Sequence, residues 1–84
     1  MNSRQAKTLQ DIFEEPTRSD IRWSAIESLL DALGAEKYER EGSRVAFVLN
    51  GKTGHFHRPH PRTVANKSAV DAVRKFLTAA EVQP

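Results

Sequence analysis

Arg44-Val45-Ala46-Phe47-Val48-Leu49-Asn50-Gly51-Lys52-Thr53-Gly54-His55-Phe56-His57 is the stretch that decides the fold. Asn-Gly between two alternating runs is a strong hairpin signal, because both residues tolerate the positive φ that a type I′ turn requires. With Asn50 and Gly51 as a two-residue loop, Leu49 faces Lys52. Pairing then runs outward through Val48 with Thr53, Phe47 with Gly54, Ala46 with His55, Val45 with Phe56 and Arg44 with His57. Side chains alternate across a strand, so Val45, Phe47, Leu49 and Phe56 share an apolar face while Arg44, His55 and His57 share the other. A guanidinium and two titrating imidazoles on one side of a small sheet suit an anionic ligand.

On either side of the hairpin the pattern changes period. Lys37–Glu41 reads as a preceding strand that turns through Glu41-Gly42-Ser43, and its polar sequence places it at a sheet edge, with Lys37 and Arg40 as ordinary edge charges. The third strand runs from Lys52 to Arg58 and ends at Pro59 and Pro61, which cannot donate to a ladder. Upstream, Ile26, Leu29, Leu30 and Leu33 recur at helical spacing. Ser24 and Glu27 have the positions of a capping box, and Gly34 supplies the stop. Trp23 reads as a core anchor for that helix. Downstream, Val70, Val73, Phe76, Leu77 and Ala80 form one stripe of a last helix capped by Asn66 or Ser68. Ser3 to Phe13 forms a first helix that Pro16 terminates, and Glu14 to Arg22 reads as a polar connection. Whether that first helix packs on the domain edge or on a partner is open.

The expected architecture is an α+β two-layer sandwich, a three-stranded antiparallel sheet with helices on one face. Residues 1–20 form the N-terminal helix and linker, and residues 21–84 the body of the domain. A chain of 84 residues builds one modest core and leaves no room for a large substrate cavity. Absence of cysteine removes disulfides, thiolate catalysis and thiolate metal sites. No apolar run reaches membrane-span or signal-peptide length, so the expected address is cytoplasmic. The net charge of +2 hides an asymmetry. Residues 1–36 hold four Lys/Arg against seven Asp/Glu, a balance of −3, and residues 37–84 hold nine against four, a balance of +5. All three histidines lie in that basic half, which points to nucleic-acid contact on one side of the domain.

From Trp23 to Val82 the chain resembles the HicA toxins of bacterial toxin–antitoxin pairs. The matching pieces are the helix ending in Leu33-Gly34, the turn at Gly42-Ser43, the strand Val45-Ala46-Phe47, the run Arg58-Pro59-His60-Pro61 and the helix from Val70 to Leu77. The resemblance implies a fold like a double-stranded-RNA-binding domain, α-β-β-β-α, here with an extra N-terminal helix. It also implies endoribonuclease action on mRNA and silencing by a HicB-like antitoxin protein that binds and hides the basic face, with no small-molecule cofactor and no membrane. The family's usual Gly-Ser-His, whose histidine is held to be catalytic, stands here as Gly42-Ser43-Arg44.

Arginine stays protonated at physiological pH, so proton transfer must come from elsewhere. Metal-free RNA cleavage uses the 2′-hydroxyl as nucleophile. A neutral imidazole removes its proton, an imidazolium protonates the leaving oxygen, and a guanidinium steadies the phosphorane. His57, opposite Arg44, is the leading acid/base candidate, with His55 or His60 as the second group. Arg44, Ser43 and Arg58 are phosphate contacts, although Arg58 points to the other face of a regular strand. Lys52, Arg62 and Lys67 extend the basic track. Two alternatives stand beside this one. One is a non-catalytic RNA- or partner-binding module. The other is a zinc site built from His55-x-His57 with His60 as third ligand, for which no Cys, Asp or Glu sits near enough in sequence to complete the set.

Overall fold

In the computed structural model, which describes residues 1–84, the chain runs α1 (Ser3–Ile12), β1 (Ile21–Arg22), α2 (Trp23–Ala32), β2 (Glu36–Glu39), β3 (Arg44–Leu49), β4 (Lys52–His57), β5 (Val64–Ala65) and α3 (Lys67–Ala79). The turn between β3 and β4 has φ of 50° at Asn50 and 78° at Gly51, both positive as a type I′ loop demands. The register follows from it: Leu49 faces Lys52, Phe47 faces Gly54, Val45 faces Phe56 and Arg44 faces His57. On the other side of β3, Tyr38 faces Ala46 and Lys37 faces Phe47, giving an antiparallel sheet of order β2-β3-β4.

One face of this sheet is covered and the other is open. Val45, Phe47, Leu49 and Phe56 are buried in a single cluster with Ile26, Leu29 and Leu30 of α2 and with Val70, Val73, Phe76 and Leu77 of α3. Phe56 is the hub: its ring lies 6.0 Å from Trp23, 6.2 Å from Phe47 and 5.7 Å from Phe76, the last edge-on. Each such pair adds about 0.5–1.5 kcal/mol beyond its buried area. Leu9 and Ile12 of α1 belong to the same cluster, so residues 1–20 share the core of the rest of the chain and α1 packs within the domain. The result is an α+β two-layer sandwich of the double-stranded-RNA-binding type, α2-β2-β3-β4-α3, with one extra helix at its N-terminus. No helix is long and apolar enough to cross a membrane.

Local chemistry explains the helix ends, with one correction. Ser24 does not cap α2: the helix begins two residues earlier than that cap implies, Arg22 occupies the cap without a side-chain hydrogen bond, and the Trp23 amide donates to Thr63 O at 2.9 Å. Glu27 is drawn away from the helix end by stronger donors described below. The C-terminus of α2 follows the sequence. Gly34 has φ of 86°, its amide donates to Asp31 O, and the Ala35 amide reaches Leu30 O, a Schellman pattern. Asn66 caps α3 by accepting from the Ala69 amide at 2.8 Å. At the other end of α3, Asn50 Nδ2 donates to Ala80 O at 2.8 Å, so the hairpin turn caps a helix as well. α1 opens with a reciprocal capping box between Asn2 and Gln5.

Two further differences lie in the connections. The segments expected as plain loops contain β1 and β5, which pair antiparallel as Ile21 with Ala65 and Arg22 with Val64. Two-residue strands carry no alternation to read. Arg74 of α3 reaches across to close the C-terminus of α1, a contact with no local signal in the sequence. Its guanidinium donates to Ile12 O at 2.9 Å, Glu14 O at 3.1 Å, Glu15 Oε1 at 2.9 Å and Thr17 Oγ1 at 3.1 Å.

Gly54 sits beneath the aromatic hub, and a Cβ there would stand 2.8 Å from Phe56 Cε2 and Cζ and from Phe76 Cδ1. Gly54→Ala therefore displaces two rings at the centre of the core. A loss of roughly 1–3 kcal/mol is expected, read as a lower urea midpoint with an unchanged slope.

Candidate nucleic-acid interface

The open face of the sheet is a grid set by register. Arg40, Arg44 and His57 form one row, the first two aligned by the Arg40 amide donating to Arg44 O at 3.0 Å. Tyr38, Ala46 and His55 form the next, and Glu36, Val48 and Thr53 the third. Directly opposed residues bring their Cβ atoms to about 4.5–5.5 Å, and neighbours two apart on a strand lie about 6.7 Å from each other. Arg44 and His57 are therefore adjacent, with His55 one row away, and all three are exposed. Together with Arg40 they line a shallow depression of ≈ 340 Å³.

Arg40 was not among the residues singled out from sequence as functional. Its signal was present in the alternation of β2: counting outward from Tyr38 puts Arg40 on the open face. Lys37, on the inner face, is no simple edge charge. Its ammonium pairs with Glu27 Oε1 at 3.0 Å and lies 5.9 Å over the Phe47 ring.

The remaining candidates are scattered. His60 lies in the loop after β4 and lines a separate depression with Ser19, Arg62 and Asn66, so it does not join His55 and His57. No three His, Cys, Asp or Glu side chains are placed to hold one metal ion, and the three-imidazole zinc alternative loses its third ligand. Lys52 shares its face with Leu49 and sits beside Lys75 of α3, off the grid. Lys67 is exposed at the first turn of α3. Ser43 stays next to Arg44 in the exposed turn, where its carbonyl accepts the Arg58 amide at 2.8 Å. A larger groove between α1 and α2, lined by Arg4, Lys7 and Arg22 with three serines, contains none of the catalytic or phosphate-binding candidates named from sequence.

Arg58 requires a correction. Its Nε donates to Glu27 Oε2 at 2.7 Å, and its terminal nitrogens reach Glu39 at 2.6 and 3.0 Å. A guanidinium held by two carboxylates is not available to phosphate. Glu27 is the centre of this cluster, since it also accepts from Trp23 Nε1 and pairs with Lys37. Burial alone would push its carboxyl up; the hydrogen bonds from Arg58, Lys37 and Trp23 outweigh that and hold it down at about 2. Glu39 is lowered by the hydrogen bond from Arg58, and Lys37 is raised by that to Glu27. These acids are neutralised on the helix side of the sheet, while Arg44 on the open side has no carboxylate partner.

No family model matches the chain, and neither a curated protein nor a solved structure matches it.

The folded Glu27 carboxyl lies below its ordinary value of 4.5, so its stabilisation is complete above about pH 4.5 and is lost as pH falls toward about 2. It contributes roughly 2 kcal/mol at neutral pH once screening on its open side is allowed for. Urea unfolding of Glu27→Gln at pH 7 and at pH 3 should show a large deficit at the first and a much smaller one at the second. Arg58→Ala leaves a half-buried carboxylate short of donors and should cost about 2–3 kcal/mol. Arg44→Ala should shift stability by less than about 0.5 kcal/mol.

Proposed function

We propose that this chain is an RNA-binding endoribonuclease, the toxin of a type II toxin–antitoxin pair of the HicA kind, cutting mRNA without a metal on the open face of its sheet. The observation that carries the proposal is the exposed cross-strand pair of Arg44 and His57, with His55 and Arg40 beside it. The resemblance from Trp23 to Val82 supplies the class of RNA and the HicB-like protein partner.

The residues divide the chemistry as follows. His57, as neutral imidazole, takes the proton of a ribose 2′-hydroxyl, and that oxygen bonds to the adjacent phosphorus. Arg44 and Arg40 neutralise the charge that builds on the phosphorane oxygens. His55, as imidazolium, delivers its proton to the 5′-oxygen as the P–O5′ bond breaks. The products are a 2′,3′-cyclic phosphate and a free 5′-hydroxyl. Imidazole in general both accepts and donates a proton, which suits one histidine to the base role and the other to the acid role. With His60 in a separate depression, His55 is the second group on this reading.

Expression of the chain alone should degrade cellular RNA and stop growth. His57→Ala should abolish both while the urea midpoint is kept, and full activity in that variant removes His57 as the base. A native chain that binds RNA and cuts none would favour the non-catalytic binding module instead, whereas cleavage kept in both His57→Ala and His55→Ala would place the chemistry at other residues. Arg44→Ala should weaken RNA binding and lower the slope of log affinity against log salt by about one. An unchanged slope takes Arg44 out of contact with phosphate.

A further inference from the structure

Resting on the reading of the sheet face as an RNA site, we infer that the face carries a base-stacking subsite at Tyr38, and that its ligand is therefore single-stranded RNA with an unpaired base. Tyr38 is 42% exposed, a large aromatic left in solvent where every other aromatic ring is packed into the core or against it. The Arg40 guanidinium lies over the Tyr38 ring, 5.8 Å from its centroid, so it holds one face of the ring and leaves the opposite face for a base.

The rest of the row shapes the subsite. Ala46, between Tyr38 and His55, is 0% exposed although it points to the open face, because its small side chain is overhung by its neighbours. Tyr38 and His55 thus stand on either side of a residue that solvent does not reach. The basic row of Arg40, Arg44 and His57 runs parallel to it, about 6.7 Å away along the strands. A base on Tyr38 would place its own backbone over that row. The nucleotide stacked there is then the one flanking the phosphate that His57 and Arg44 address.

A duplex cannot use this arrangement. Its bases are already stacked and paired, and proteins read it by shape and backbone over many base pairs. The grid is three strands wide, about 10 Å, and three rows long, about 13 Å, which suits one or two nucleotides. Aromatic platforms reward unpaired bases of any identity.

Binding is measured by fluorescence anisotropy with short 2′-O-methyl oligonucleotides, which lack the internal nucleophile and are not cut, as a single strand and as the same sequence in a duplex. The native chain should favour the single strand. Tyr38→Ala should weaken single-strand binding about tenfold and leave duplex binding unchanged, whereas Tyr38→Phe should bind as the native chain does. A single strand carrying 2-aminopurine should lose fluorescence on binding the native chain and keep it with Tyr38→Ala. Native protein that binds single strands with no dependence on Tyr38, or loses single-strand and duplex binding equally in Tyr38→Ala, overturns the stacking subsite and leaves the proposed RNA site standing. Native protein with affinity for neither overturns both.

Discussion

The Glu27 carboxylate is the constraint on which the rest of the structure depends. It accepts from Trp23 on its own helix, from Lys37 on β2 and from Arg58 just beyond β4, so a single group ties α2 to both edges of the sheet. A carboxylate half out of water is costly unless its lone pairs are filled, and here they are filled by three donors of which two are charged. That is why α2 starts at Trp23 with no side-chain cap: the residue suited to a capping box makes a better set of hydrogen bonds inside. A hydrophobic replacement of the whole cluster could be as stable, but loss of any one partner strands the others.

The same cluster sorts the charges of the sheet. Lys37, Glu39 and Arg58 all fall on the helix side and neutralise one another there together with Glu27. What remains toward solvent is Arg40 and Arg44 without acidic partners, next to two imidazoles and one tyrosine, with the Glu36 carboxylate two rows away at the far end of the grid. The electrostatic character of the open face is thus a by-product of how the covered face is held. A chain with a formal charge of only +2 presents a locally basic patch because most of its acids are engaged elsewhere.

Packing and chemistry also meet within β4. Gly54, Phe56 and Lys52 face inward while His55 and His57 face outward, so the aromatic hub and the proposed acid/base pair are alternate residues of one strand. Rigidity of the hub is passed directly to the imidazoles. Arg74 does the corresponding work at the far side, where it closes the end of α1 and keeps Leu9 and Ile12 in the common core.

Much of this was legible in the residues. Asn50-Gly51 set the hairpin register, because few pairs can take positive φ twice in succession, and the register alone placed Arg44 opposite His57. Helical stripes and Gly34 marked α2 and α3 for the same local reasons. Residues remote in the chain were beyond such logic. Nothing local distinguishes Arg44, which stays free, from Arg58, whose side chain is claimed by acids nineteen and thirty-one residues away. Nor does spacing say that His60 turns off into its own depression, that β1 finds β5, or that Tyr38 is left uncovered. Backbone preferences act over a few residues and speak through sequence. Partner choice among charged side chains is settled only when distant segments are brought within hydrogen-bond reach.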